Sequence, residues 1–329
     1  MFYVSADEKN NYTVVDGLQR LSTIRRFVLG DAYLESVRKD KNKVGDDKLK
    51  GMGFSLENLE FWKQYNGSSF NQLPIHVRNR ILETQFQFTV INPGTPEEVK
   101  RNIFKRLNTG GMPLSSQEIR NALYLGRSTN LLNELASYAE FKSATDYSIK
   151  SLRMEDKELI LRFLAFLIRN YTTYRKTIAI DSFLSDTMVI INAMPEFSTR
   201  EFLKAQKQGN VSISDIADLS IEDIKAKFKA GMVRTQAIFG RQAFRKSVGN
   251  NRRTSINKAL FETWGNVMAA LEEDEFDKLK KNKSAFLSDY PAVISDGLIQ
   301  LGISRDSMKA PSVKLRFETF HKLVQKHTV

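Results

Sequence analysis

The stretch that decides the N-terminal fold is Tyr12-Thr13-Val14-Val15-Asp16-Gly17-Leu18-Gln19-Arg20-Leu21. Its first four residues are aromatic or β-branched, a composition that favours a strand. Gly17 interrupts that pattern, and apolar residues then recur at helical spacing from Leu21 to Val28. Gly30 is expected to end this helix. The stretch therefore predicts a strand, a tight turn and a helix in direct succession.

The flanking sequence extends this unit into a small sheet. Phe2–Val4 is short and apolar, and a polar turn separates it from the strand that begins at Tyr12, so the two are predicted to form a hairpin. Pro74 is typical of the first residue of a helix, which we expect to run to about Glu83. Phe86, Phe88 and Val90 alternate with polar residues, which indicates a half-buried strand.

From Thr95 onward the pattern is helical. Thr95-Pro96 begins a helix that runs through Leu107 and ends at Asn108-Thr109-Gly110-Gly111, and Ser115 with Glu118 forms a capping box for the next helix. Further helices are predicted near residues 130–140, 155–170, 180–194, 197–207, 220–239, 255–272, 274–287 and 312–326. The fold class is α+β, with a small mixed unit over residues 1–125 and a larger all-helical region over 126–329.

Composition narrows the classes of function. The chain has 329 residues, with 50 Lys and Arg against 38 Asp and Glu, and its net charge of +12 favours polyanionic partners such as DNA, RNA or nucleotides. Many basic proteins nevertheless bind no polyanion. The absence of cysteine excludes disulfides and thiolate chemistry. No apolar run is long enough to span a bilayer, and the first residues do not resemble a signal peptide, so we expect a cytoplasmic protein without a membrane partner.

The turn from Asp16 to Arg20 has the geometry of an anion site. Backbone N–H groups at the start of a helix lack intrahelical partners and, together with the helix dipole, attract phosphate. A cation such as Arg20 is unfavourable there unless an anion is bound, and its guanidinium can contact phosphate bidentately. Asp16 can cap the helix, orient Arg20 or hold a metal, and Gln19 can bind a base, a sugar or water. Taken alone, the turn is more typical of a plain capped helix start, with Asp16 as the cap and Arg20 on the surface.

A second segment, Asn108 to Glu118, also allows two interpretations. Its Gly110-Gly111 turn lets backbone approach a ligand and can form an anion-binding nest. Asn108 can donate to a phosphate or a sugar. The same segment is also an ordinary corner between two well-capped helices.

Together the two segments resemble a known family. Val14 to Thr23 resembles the D-G-Q-Q-R-L-T-T stretch of the N-terminal domain of GmrSD-type modification-dependent restriction enzymes. Phe104-x-Arg106-Leu107-Asn108-x-Gly110-x-x-Leu114-x-x-x-Glu118-Ile119-Arg120 looks like the second hallmark of that family. Residues 156–163 and 253–262 resemble stretches of its stand-alone members.

The resemblance implies a ParB/sulfiredoxin-like N-terminal fold, binding and hydrolysis of nucleoside triphosphates, and defence against foreign, often modified, DNA. By position, the implied nucleotide residues are Asp16, Gly17, Gln19 and Arg20, of which all but Gly17 are also catalytic candidates. Asn108, Gly110 and Glu118 are expected to support them. The implied cofactor is a nucleoside triphosphate with magnesium.

The sequence departs from the family pattern in three ways. Leu18 stands where the family has its first Gln. The upstream I-P-x-F-Q-R-like segment would precede Met1. The fused His-Asn-His nuclease domain has no counterpart, because the only histidines are His76, His321 and His327, and the last two do not share a helical face. We expect no metal site made of protein side chains alone, and no nuclease activity from this chain by itself.

A second basic segment spans residues 241–258 and contains no acid. We expect it to contact DNA or RNA phosphates or to form a second phosphate site, whereas the plain alternative is a solvated basic loop. Thr254 or Ser255 is predicted to cap the helix that follows. The candidate contact residues are Arg241, Arg245, Lys246, Arg252, Arg253 and Lys258.

These observations predict a nucleotide-binding component of a restriction or anti-phage system, with NTP hydrolysis as a further expectation. Two alternatives stay open. One is a non-catalytic DNA-binding or sensing module, and the other is a helical partner subunit of a separately encoded nuclease.

Overall fold

The computed structural model describes residues 2–6, 11–39, 54–92, 95, 99, 103, 114–151, 153–175, 178–247 and 253–328. The chain divides into two compact units, residues 1–113 and 114–329. The sequence predicted a boundary near residue 125. The division lies earlier because the helix at Ser116–Leu123 buries Gln117, Ile119 and Arg120, and Arg120 forms an ion pair within the second unit.

The first unit contains a three-stranded mixed sheet. Strands β1 (Phe2–Ala6) and β2 (Tyr12–Asp16) are antiparallel, and β3 (Phe88–Ile91) pairs in parallel with β1, giving the order β2-β1-β3. Alternate residues of β1 are buried, as a central strand requires. The predicted hairpin is thus confirmed, and so is a strand over Phe88 and Val90.

The apolar side chains of strand β3 are more exposed than the alternating sequence pattern predicted. Val90 is the register partner of Val4, yet Val90 is 42% exposed and Val4 only 5%. Among the described strands β3 lies at the edge of the sheet, so a neighbour flanks it on one side only. Phe88 compensates in part by stacking on Phe2, with ring centroids 5.4 Å apart.

The described residues of this unit also include the α-helices α1 and α2. Helix α1 spans Leu18–Lys39 and is kinked at Gly30, where φ is 44° and ψ is −122°. The predicted break at Gly30 is therefore present, although helical structure resumes after it. Helix α2 spans Ile75–Leu82, directly after Pro74. Phe70, Leu73 and Val77 form a small buried cluster beside these elements.

The second unit is helical, which confirms the α+β class. Its helices are α3 (Ser116–Leu123), α4 (Arg127–Ser137), α5 (Ala139–Ala144), α6 (Glu155–Ile168), α7 (Ile180–Ala193), α8 (Arg200–Lys207), α9 (Ile221–Phe239), α10 (Lys258–Ala269), α11 (Glu273–Lys281), α12 (Lys283–Ser295), α13 (Gly297–Gly302) and α14 (Ala310–Thr328). The single helix predicted over 274–287 is two helices that meet at Asn282. None of the described helices is long and apolar enough to cross a membrane.

Helices α6 and α10 form the centre of this unit. Every residue of α10 from Ala259 to Ala269 is buried, as are Leu159 to Phe166 of α6. The apolar side chains of both helices thus belong to the core. Trp264 of α10 stacks on Phe320 of α14 with ring centroids 4.4 Å apart, an arrangement that adds to the stability gained from burial.

Glycine permits α9 to approach α10 closely. A Cβ atom on Gly231 would lie 2.5 Å from the carbonyl oxygen of Gly265, and one on Gly265 would lie 2.7 Å from Cδ2 of Phe163. Neither distance is compatible with a side chain, so the contact of α9 with α10 requires glycine at position 231, and the packing of Phe163 of α6 against α10 requires glycine at position 265.

The predicted N-terminal cap is present at α3 and absent at α10. The capping box at Ser115 is present: Glu118 N donates to Ser115 Oγ at 3.2 Å, and Ser115 N donates to Glu118 Oε2 at 2.6 Å. The prediction that Thr254 or Ser255 caps α10 is wrong. Asn257 is the cap, its Oδ1 accepting from Leu260 N at 3.0 Å, because the helix begins later than the periodicity indicated.

Candidate functional site

The turn between β2 and α1 depends on glycine. Gly17 has φ of +95°, in the left-handed region, and a Cβ there would lie 2.3 Å from Cδ1 of Phe2. Helix α1 follows at once, since Leu21 N donates to Gly17 O at 2.9 Å. The chain thus passes from strand to helix over the Phe2 ring, and only glycine fits that path.

Arg20 folds back over the same turn. Its guanidinium carbon lies 4.9 Å from the centroid of the Phe2 ring, a cation–π contact, and the Phe2 side chain is buried. Its Nη2 would lie 3.3 Å from a Cβ on Gly17. Arg20 and Gln19 are both exposed. The guanidinium is therefore held beside the first turn of α1, at the end of the helix where an anion is favoured.

Two of the predicted nucleotide residues lie outside the described residues, and a third is described only in part. Asn108 and Gly110 belong to the first group. For Asp16 the backbone is described, as the register partner of Tyr3. What the structure brings together at the turn is Gly17, Arg20 and Phe2, and Phe2 was not recognised from the sequence. The sequence feature that could have identified Phe2 is a large aromatic residue at the start of a strand that must pair with β2.

Glu118 has a full set of interactions within the second unit. Its Oε2 accepts from Ser115 N at 2.6 Å and from the Arg153 guanidinium at 3.0 Å and 3.1 Å. The carboxylate therefore closes a capping box and fixes the start of α3. Its support for a nucleotide stays a prediction.

Arg120, two residues further on, joins α3 to α7. Its Nη1 lies 2.8 Å from Asp181 Oδ1, and its Nε donates to Gln117 Oε1 at 3.0 Å. Burial lowers the pKa of Arg120, and the Asp181 charge opposes that shift. The last residues of the second motif thus anchor α3 on the helical unit.

A line of alternating charges connects α6, α10 and α14. Lys258 Nζ lies 2.7 Å from Glu158, Glu158 lies 3.2 Å from Arg162, and Arg162 lies 3.1 Å from Glu262. Glu262 also pairs with Arg316, and both are fully buried. The first and third of these pairs join residues 100 positions apart, which shows that α6 and α10 run in the same direction.

This line of charges affects the proton affinity of Glu158. Burial by itself raises the pKa of Glu158. The hydrogen bond from Lys258 and the Arg162 charge outweigh that effect and hold the pKa below its usual value. Lys258, predicted to contact nucleic acid, is therefore committed in part to stabilising a partly buried carboxylate.

The other residues of the basic segment differ in exposure. Arg245 is 5% exposed, and its guanidinium donates to Thr254 O and to Ser148 Oγ. The sequence placed Arg245 on a surface, but its guanidinium has become part of the interior. Arg241 and Arg253 both pair with Asp146, with side chains 73% and 39% exposed. Lys246 Nζ donates to Ser304 Oγ at 2.5 Å.

Arg252 lies outside the described residues. Asp146 was missed by the sequence reasoning because it is distant along the chain from the arginines it pairs with. Within the part of the chain that the structure describes, no group of three or more His, Asp or Glu residues could hold a metal ion.

Residues 1–125 match the family model for the GmrSD restriction endonuclease, N-terminal domain. The match confirms the resemblance drawn from the two motifs, and it spans both of them. Residues 126–329 lie outside it.

No curated protein matches the chain, and no solved structure matches it. The ParB/sulfiredoxin-like fold implied by the motifs therefore stays a prediction.

Proposed function

We propose that this chain is a nucleotide-binding, NTP-hydrolysing component of a DNA restriction system. The observation that carries the proposal is the turn at Gly17, where a strand leads directly into a helix and the Arg20 guanidinium lies beside the first helical turn. The match to a restriction endonuclease domain over residues 1–125 supports the biological setting.

The residues of the turn fit a phosphate group. A Cβ at Gly17 would lie 2.3 Å from Cδ1 of Phe2 and 3.3 Å from Nη2 of Arg20, so glycine lets both side chains pack close to the start of α1. The first N–H groups of α1 would bind phosphate oxygens, and Arg20 would stabilise the charge that develops during phosphoryl transfer. Magnesium bound with the nucleotide would neutralise phosphate charge, and Asp16 is the residue we assign to placing it. Gln19, exposed beside Arg20, would orient water.

The test measures binding of Mg-ATP and Mg-GTP by calorimetry, and phosphate release, for the wild type and for Arg20→Ala. Arg20→Ala removes a charge-assisted hydrogen bond worth about 1.5–3 kcal/mol, so we expect roughly a tenfold or greater loss of affinity. Arg80→Ala is the matched control, because Arg80 is exposed on α2 of the same unit and the change in net charge is equal.

Arg20 also contacts Phe2, so Gln19→Ala provides a second variant at an exposed position that leaves this contact intact. Gln19→Ala should slow phosphate release with little change in affinity. Absence of nucleotide binding by the full chain, or equal affinity in wild type and Arg20→Ala, would refute the nucleotide role.

We further propose that the helical unit contacts DNA through Arg241, Lys246 and Arg253. The supporting observation is that one carboxylate, Asp146, faces two guanidinium groups, while Lys246 donates to a neutral hydroxyl. Positive charge therefore remains at this surface, as phosphate contact requires.

Salt dependence tests the DNA contact. Loss of two phosphate contacts in Arg241→Ala/Arg253→Ala should reduce the slope of log K against log salt by about 1.8, at about 0.9 per contact. Lys278→Ala/Lys281→Ala, on the exposed face of α11, makes the same change in net charge and should leave the slope nearly unchanged. Identical slopes for all three proteins would argue against this surface.

A further inference from the structure

The loop that follows α5 exposes a tyrosine side chain to solvent. Asp146 and Tyr147 are consecutive residues in the left-handed region, with φ of 53° and 52°, and Tyr147 is 75% exposed. The loop is closed by Tyr147 N, which donates to Lys142 O at 2.8 Å. Non-glycine residues persist in this conformation only where the surrounding structure fixes them.

The buried side chain of Arg245 fixes this loop. Its buried Nη2 donates to Ser148 Oγ at 3.1 Å and reaches Thr145 O at 3.5 Å, and its Nη1 donates to Thr254 O. One guanidinium thus ties both sides of the loop to the basic segment. The backbone at Tyr147 is thereby held in a defined position relative to that segment, and the ring extends from it into solvent.

Cations surround the loop. Arg253 and Arg241 both bind the carboxylate of Asp146, the residue adjacent to Tyr147, and the Arg241 side chain remains 73% exposed. Two positive charges share one negative charge, so the group keeps a net charge of +1. Burial lowers the pKa of Arg245, and the nearby Arg241 charge acts in the same direction, which indicates that these cations lie close together.

We propose that Tyr147 is a stacking platform for an unpaired base of single-stranded DNA, with Arg241 and Arg253 contacting the adjoining phosphates. The proposal rests on the DNA contact proposed above and specifies its ligand. An exposed aromatic ring beside cations is the combination with which proteins bind single strands, because the ring stacks on any base and the cations follow the backbone. A duplex offers no such contact, since its base faces are already stacked.

The test compares three DNA probes by fluorescence anisotropy at low salt: an oligothymidylate of about 12 nucleotides, its abasic counterpart, and a duplex. For the oligothymidylate, Tyr147→Ala should weaken binding by at least about fivefold and Tyr147→Phe should not, because stacking needs the ring alone. For the abasic probe, wild type and Tyr147→Ala should bind equally. Phe61→Ala removes an aromatic ring that is 79% exposed in the first unit and is the matched control.

The outcomes separate this proposal from the one it rests on. If the protein binds duplex and single strands and Tyr147→Ala changes neither affinity, the DNA contact stands and the stacking platform is overturned. If it binds no DNA at low salt, both are overturned. Because Tyr147 is exposed, Tyr147→Ala should keep the melting temperature of the wild type, so a loss of affinity reports on the ring and not on unfolding.

Discussion

The two units of this protein use arginine in opposite ways. In the first unit, Arg20 is exposed at the start of α1 and lies over the Phe2 ring. In the second, Arg162 and Arg316 are buried and paired with Glu262. The net charge therefore overstates the positive charge available for binding polyanions, because some of the cations are buried and paired within the fold.

The same contrast separates sites that a ligand can complete from sites that are already complete. Glu262 accepts from two guanidinium groups, and Arg316 further donates to Gly302 O and Ser307 O. Such a network needs nothing from outside. The turn at Gly17 lies at the start of a helix beside the exposed Arg20, which is what makes it a candidate site.

The largest expected effect tests whether the interior charges are structural. Glu262→Gln would leave Arg162 and Arg316 buried without their shared carboxylate, so we expect the free energy of unfolding to fall by about 3–5 kcal/mol in urea denaturation followed by circular dichroism. Glu318→Gln is the control, because its ion pair with Lys314 is exposed and its loss should cost about 0.5 kcal/mol. Equal effects of the two substitutions would remove the distinction between interior and surface charges.

Local features of this fold could be predicted from the sequence. The hairpin, the helix after Gly17 and the capping box at Ser115 each depend on residues within a few positions of one another. Turn chemistry and capping chemistry are therefore sufficient to define them. Asp16 to Arg20 was identified as a candidate site for the same reason.

Contacts between distant residues could not be predicted in this way. Glu158 and Lys258 are 100 positions apart, as are Arg162 and Glu262, so nothing in the local sequence of the basic segment showed that Lys258 has an acidic partner. Arg245 appeared to be one of a run of surface cations and instead fixes a loop that begins at Thr145. Pairings of this kind follow from the packing of helices and not from local composition.

The next effect separates backbone strain from steric crowding at the candidate nucleotide turn. Gly17→Ala and Gly67→Ala both place a side chain at a left-handed position, with φ of 95° and 82°, at a cost of about 1–2 kcal/mol each. Only Gly17→Ala also brings a Cβ to 2.3 Å from Phe2, whereas nothing lies within 4 Å at Gly67. We expect Gly17→Ala to cost a further 1–3 kcal/mol, roughly the cost of overpacking.

Hydrogen exchange of the β1 amides measures that difference within the first unit. Gly17→Ala should lower their protection more than Gly67→Ala does, and it should also weaken nucleotide binding. Equal protection in the two variants would mean that Phe2 and Arg20 are not packed closely over the turn.

The smallest effect concerns a titrating group in the second unit, and its counterpart in the first unit is the control. Burial lowers the pKa of His321 from its ordinary value of 6.5. Below pH 6.5 the imidazole of His321 therefore binds a proton more readily in the unfolded chain than in the folded chain. Stability is complete above that pH and declines as the pH falls through the lowered value. His321→Phe should remove this part of the decline between pH 7 and 5, measured as the urea midpoint, while His76→Gln at an exposed position of α2 should retain it. A decline of equal size in His321→Phe would show that other groups in the helical unit account for it.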